Sequence, residues 1–194
     1  MFYSIVKWII KTAAGVLYRM DIKGIKNIPT EGACIICFNH KSTFDPPIIG
    51  VFMPRQLVFM AKEELFKVPL LGSIINALGA FPVKRGMGDI TAIKKSIAIL
   101  NEGKVLAMYP EGTRNKNGEV GAAKPGVALI ATKAKVPVIP VGVTGAYKLF
   151  SKITINIGHP LYYDEYFDHK LSMEQLQSIS NNIMNHIRML MEEN

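Results

Sequence analysis

The stretch ACIICFNHKSTFDPP, residues 33–47, decides how the rest of the chain is read. Its first six residues are apolar without alternation, as in a strand covered on both faces rather than one. At Asn39 the chemistry changes at once: a histidine, four residues, Asp45, then Pro46 and Pro47. In layered sheets of parallel strands, sites form beyond the carboxyl ends of the strands, which is where His40 and Asp45 fall. Cys34 and Cys37 lie inside the run as a C-x-x-C. Side chains three apart in a strand point to opposite faces, and the chain has no second cysteine pair to complete a zinc site. Both are expected to be buried free thiols, which suits a reducing compartment.

Working outward, short apolar runs recur at 57–61, 80–83, 105–109, 138–143 and 153–157. Helical periodicity falls between them, over 90–101 with Asp89 and Gly103 as caps, over 126–134 behind Pro125, and over 173–191. Ser172 and Gln175 have the spacing of a capping box for the last helix. Strands alternating with helices predict one α/β domain with a largely parallel or mixed sheet flanked by helices. A chain of 194 residues, 49% hydrophobic and 20% charged, has enough material for such a core and is not disordered.

The first twenty residues, MFYSIVKWIIKTAAGVLYRM, stand apart. Lys7 and Lys11 interrupt a segment barely long enough to span a bilayer, and no small-residue cleavage site follows an unbroken apolar core. Trp8 and Tyr3 suit the head-group boundary. Residues 1–20 therefore read as an amphipathic helix lying on a membrane, with 21–194 as the catalytic domain. The alternative is a first helix packed on the core with its lysines solvated. The mean hydropathy of +0.20 and net charge of +8 favour anionic, greasy partners. Residues 1–26 concentrate five cations against Asp21, which helps the lipid reading. Nucleic acid is not expected, because the cations are scattered among apolar residues without a recognised motif.

Three turns after strands carry the chemistry. On a continuous helix His40 and Asp45 would stand about 140° apart, too far to pair. Asp45 precedes a proline and is expected to be extended, with a helix starting just after it, so that a turn folds the carboxylate back onto the ring. Such a pair fixes the imidazole tautomer and stabilises the imidazolium, which makes a general base for a hydroxyl. An N-cap role for Asp45 is the plain alternative. Lys84 and Arg85 follow the 80–83 run, where Arg85 can grip a phosphate bidentately. In YPEGTRN, 109–115, Gly112 allows backbone N–H groups to face an anion, Glu111 can accept from a substrate hydroxyl, and Arg114 adds a cation. Each of these turns also reads as an ordinary solvated turn when taken alone. With no G-x-S-x-G and both cysteines inside a strand, an enzyme nucleophile is not expected. A base, cations and a greasy basic first helix together predict base-catalysed chemistry on a phosphorylated lipid.

NHKSTFD resembles the N-H-x-x-x-x-D motif of the glycerolipid acyltransferases. GAFPVKR (79–85), YPEGTR (109–114) and VPVIPVG (136–142) resemble that family's three further blocks, in the same order. The likeness covers about residues 20–160 and is greatest to the bacterial 1-acyl-glycerol-3-phosphate acyltransferases. It implies a glycerol-3-phosphate acyltransferase-like fold. It also implies transfer of a fatty acyl group from an acyl thioester, on coenzyme A or acyl carrier protein, to the sn-2 hydroxyl of lysophosphatidic acid. Phosphatidic acid would result. The thioester is a co-substrate; no cofactor and no metal is implied. Carried onto this chain, His40 is the base and Asp45 its partner, and Arg85 with Lys84 binds the acceptor phosphate. Asn39, Glu111, Gly112, Thr113 and Arg114 are counted as substrate-binding. The expected location is the cytoplasmic face of the cell membrane, peripheral or monotopic.

Pro82 and Lys84 depart from the usual second block, and the segment before the first strand has room for one helix rather than a pair. Acyl transfer to glycerol 3-phosphate or another lysolipid stays open, as does a non-enzymatic module that binds anionic lipid.

Overall fold

The computed structural model describes residues 2–83, 90–114 and 121–193. Its centre is strand β2 (Cys34–Phe38), all five residues of which are buried. Around it lie β1 (Arg19–Lys23), β3 (Leu57–Lys62), β4 (Phe81–Val83), β5 (Val105–Met108), β6 (Val138–Gly145) and β7 (Lys152–Ile157). They form one seven-stranded sheet in the order β1-β7-β6-β2-β5-β3-β4. β2 pairs in parallel with both β5 and β6, and β3 in parallel with both β5 and β4. β7 runs antiparallel to β6, and β1 parallel to β7. The sheet is thus mixed, with five strands ending at one edge.

The pleat divides two cores. Ile35 and Cys37 face a layer that includes Leu106, Val127, Ile179 and Ile183. Cys34, Ile36 and Phe38 face another that includes Ile49, Met53, Val141 and Ile155. The two cysteines therefore sit on opposite faces, as a three-residue spacing in a strand requires, and both are free thiols. The first layer is roofed by α5 (Ile90–Asn101), α6 (Gly126–Ala134) and α7 (Met173–Glu192). Ser172 and Gln175 close the expected capping box at the start of α7.

On the other face lies α2 (Asp45–Phe52). Asp45 is its first residue, not an extended residue ahead of it. The pre-proline restriction is a bias, and the bonds to the Asp45 carboxylate described below outweigh it. Two short helices, α3 (Glu63–Phe66) and α4 (Leu71–Ala77), fill the β3–β4 connection.

Helix α1 (Phe2–Leu17) ends earlier than expected, because Arg19 and Met20 open β1. Its orientation answers to neither sequence reading in full. Lys7 donates to the Met53 carbonyl at 3.0 Å, and the Lys11 ammonium stands over the Phe52 ring. The lysine side thus faces the end of α2, where a cation meets unpaired helix carbonyls. At 100° per residue, Ile5, Ile9 and Val16 lie on the far side from Lys7, flanked by Trp8. All four are exposed, Trp8 at 68%. Burial, with Lys11 close by, holds the Lys7 ammonium below its ordinary pKa. Among the described residues, no helix is long and apolar enough to cross a membrane.

Candidate active site

Five parallel strands deliver their following turns to one edge, and the turns after β2, β5 and β6 meet there. His40 Nδ1 lies 2.8 Å from Asp45 Oδ2. The same oxygen accepts the main-chain N–H groups of Lys41 and Ser42, each at 2.8 Å. These bonds are the physical reason the chain curls between residues 40 and 45: the carboxylate gathers the N–H groups of the turn it closes. Asp45 does not cap α2 with its side chain; the cap position is Phe44. Asp45 is 0% exposed and His40 8%, so the carboxylate is sealed while the ring keeps a solvent edge. Among the described residues, His40 Nε2 has no hydrogen-bond partner, which leaves the nitrogen opposite the carboxylate available to a proton donor.

The ring is also fixed from below and behind. Tyr109, at the end of β5, stacks under His40 with centroids 3.9 Å apart and planes 22° from parallel. The Tyr109 hydroxyl is buried without a partner among the described residues, and burial first, then Asp45, holds it protonated. Glu111 does not reach outward for substrate. Its Oε1 accepts the His40 N–H at 3.0 Å and its Oε2 accepts the Gly121 N–H at 2.9 Å. It buckles the β5 turn to the β2 turn. Asn39 is likewise turned inward. Its amide donates to the Val143 carbonyl at 2.9 Å and accepts the Val143 N–H at 2.7 Å. β2 and β6 pair as far as Phe38 with Val141, so the Asn39 side chain adds a further ladder step in place of backbone. The expectation that Asn39 and Glu111 touch substrate meets a different placement, because the atoms that would do so hold backbone.

Gly112 has φ +69, the left-handed conformation its turn needs, and its N–H bonds to the Tyr109 carbonyl at 2.9 Å. A Cβ there would stand 2.9–3.0 Å from the Lys124 side chain, so a cation invisible to the motif reading lies against this glycine. Arg114 donates to Thr43 Oγ1, joining the third block to the first. Thr113 is exposed. Lys41 Nζ donates to the Gly145 carbonyl at 2.8 Å. Lys84 and Arg85 follow β4 but lie outside the described residues.

One participant gave no local signal at all. Tyr147, in the turn between β6 and β7, donates its hydroxyl to Asp45 Oδ1 at 2.5 Å across 102 residues. Tyr109, Tyr147 and Lys124 were missed because each is placed by topology rather than by spacing. Only Tyr109, which opens the YPEGTR block, was close to a motif. The arrangement can hold one imidazole in a set tautomer, accept a proton at Nε2 and stabilise the resulting cation with a buried carboxylate. Among the described residues no group of acids, histidines or cysteines is clustered to hold a metal.

The acyltransferase family's sequence profile matches residues 19–144, which include every side chain described above except that of Tyr147. The chain belongs to the acyltransferase family. It is 32% identical to a 1-acyl-sn-glycerol-3-phosphate acyltransferase of Bacillus subtilis, over 85% of this chain and 84% of that one. A protein of the same name from Streptococcus pneumoniae is 33% identical over 82% of this chain and 61% of its own length. A chloroplastic relative from Brassica napus is 30% identical over 68% of this chain, which spans only 39% of its length. The crystal structure of the 1-acyl-sn-glycerophosphate acyltransferase of Thermotoga maritima superposes with a TM-score of 0.75 at 26% identity. That match covers 99% of this chain and 80% of the other. The acyltransferase fold is thus shared along nearly the whole sequence.

Proposed function

We propose that this acyltransferase moves a fatty acyl group from a thioester, on coenzyme A or acyl carrier protein, to the sn-2 hydroxyl of 1-acyl-sn-glycerol 3-phosphate. The observation that carries the reading is the 2.8 Å contact between His40 Nδ1 and a fully buried Asp45 carboxylate, with Nε2 left over. The relatives named above supply the substrate class. His40 Nε2 takes the hydroxyl proton as the oxygen attacks the thioester carbon. An O–C bond forms, the C–S bond breaks, and the proton passes from the imidazolium to the departing thiolate. Asp45 stabilises the imidazolium between these steps. Glu111 and Asn39 serve as positioning residues, and Gly112, Thr113 and Arg114 border the acceptor site. Lys84 and Arg85 are assigned to the acceptor phosphate.

Catalysis takes place at a bilayer, with the outer face of α1 in contact with lipid. Ile5, Trp8, Ile9 and Val16 point away from the protein as one apolar face, while Ala14 packs inward and Lys7 and Lys11 lean over the end of α2. We assign that contact to the cytoplasmic face of the cell membrane.

The test is product analysis by mass spectrometry, with lysophosphatidic acid, glycerol 3-phosphate and other lysolipids as acceptors and mixed acyl donors. Phosphatidic acid from lysophosphatidic acid is the expected product. No gain over background with that acceptor, alongside turnover of another, overturns the choice of substrate.

A further inference from the structure

We infer that Tyr147 is a positioning residue of the catalytic dyad, setting the rotation of the Asp45 carboxylate and tempering its charge. The inference rests on the reading of His40 as the base. Asp45 is bonded unevenly. His40 Nδ1 and the N–H groups of Lys41 and Ser42 all converge on Oδ2. Among the described residues, the Tyr147 hydroxyl supplies the bond to Oδ1. Three donors hold one oxygen and leave the other without an anchor; a donor on that second oxygen further resists rotation of the carboxylate about the bond to its Cβ.

Tyr147 is itself held. Its ring meets Tyr18 edge-on at 5.8 Å and tilts against Phe44 at 6.2 Å. Burial first, and then Asp45, keep its hydroxyl protonated far above the ordinary range, so it acts as a donor at every working pH. Among the described residues, the other titratable or charged groups facing the dyad are Tyr109 and Glu111 from the β5 side, Arg114 on Thr43, Lys41, and Tyr18 behind Tyr147. Among the described residues, none of them donates to Oδ1.

The electrostatic consequence has a sign. A phenol donating to the carboxylate draws off charge that would otherwise stabilise the imidazolium. Removing the donor leaves more negative charge facing the ring, which favours the imidazolium even as the geometry loosens. A residue that merely packs has no such effect.

The experiment is a titration of the His40 ring by ¹⁵N NMR, with His40→Ala to assign the resonance, in the full chain and in Tyr147→Phe. The Phe variant keeps the contacts with Tyr18 and Phe44. Its His40 titration is expected to move up. The acid limb of kcat/KM should follow, with kcat about tenfold lower and KM for the acceptor unchanged. Incorporation of 3-fluorotyrosine at 147, a stronger donor of nearly the same shape, is expected to move the titration down. It serves equally if the Phe variant does not fold. Superimposable titrations overturn the inference. So does Tyr147→Phe behaving as wild type while Tyr147→Leu is impaired, which is the outcome of packing alone. The titration needs no turnover, so its failure is distinct from failure of the acyl-transfer reading, which the acceptor panel decides.

Discussion

Asp45 is a fully buried carboxylate with four hydrogen bonds, from one imidazole, two main-chain N–H groups and one phenol. A buried charge left short of partners costs several kcal/mol, so this site is built to keep the anion. Asp45→Asn would place an amide NH2 among donors, whichever way it turned. The expected result is a loss of about 2–3 kcal/mol in urea unfolding and a fall in kcat of at least about 10²-fold. Unchanged kcat would separate the carboxylate from the chemistry.

Glu111 makes the same point from the next turn. Glu111→Gln keeps one acceptor oxygen but sets an NH2 against either the His40 or the Gly121 N–H. It should cost about 1–3 kcal/mol of stability and lower kcat more than it alters the KM for the acceptor. A change confined to KM would instead place Glu111 against substrate.

At this scale the sequence was informative about which residues meet and less so about how. The five-residue spacing and the prolines pointed to a His40–Asp45 pair. The inward turn of Asn39 and Glu111 was not legible, because a polar side chain beside a catalytic residue can face substrate or backbone with the same spelling. Tyr147 could not be found from Asp45, since only the path of β6 back beside β2 brings them together.

Among the elements, β2, β5 and β6, which showed as unbroken apolar runs, are almost wholly buried. β1 escaped notice because RMDIK mixes charge with apolar residues, as an edge strand does, and because it follows a helical stretch without a breaker. Asp21 there pairs with Lys152 of the adjoining β7, which holds its carboxyl below the ordinary range. α3 and α4 were too short for a periodic signal.

α1 gives a prediction at this scale. Trp8→Ser together with Ile9→Ser should weaken co-sedimentation with anionic vesicles about tenfold or more while leaving the melting temperature near wild type. A large drop in melting temperature with vesicle binding intact would show that this face is covered by protein instead. α7 offers a control on the packing account. Ser172→Ala removes one half of its capping box and should cost about 1 kcal/mol, a fall in Tm of about 2–4 °C, with no effect on activity.

For the whole molecule, the decisive property is that five parallel strands end at one edge while β7 and β1 run the opposite way beside them. That edge could be inferred because each polar turn followed an apolar run, and parallel pairing sends such turns to the same side. The reversal at β7 could not be inferred, since no short hairpin signal lies between β6 and β7. The central strand carries its own test. Burial pushes the Cys34 thiol up to about 11 and that of Cys37 higher still. A raised thiol pKa stabilises the fold fully below the unfolded value and is lost as pH rises through the folded one. For Cys34 that window runs from the ordinary thiol value of 9.0 to about 11. At pH 8 an aromatic disulfide reagent should react with neither thiol in the native protein and with both in denaturant. Fast native labelling would contradict a β2 covered on both faces.

The central claim, that His40 is the base of an acyl transfer, is tested most directly by His40→Ala on vesicles containing lysophosphatidic acid. Phosphatidic acid formation and vesicle binding should be measured in the same sample. The account predicts a fall in turnover of at least about 10²-fold with binding unchanged. Turnover within a few-fold of wild type would contradict it.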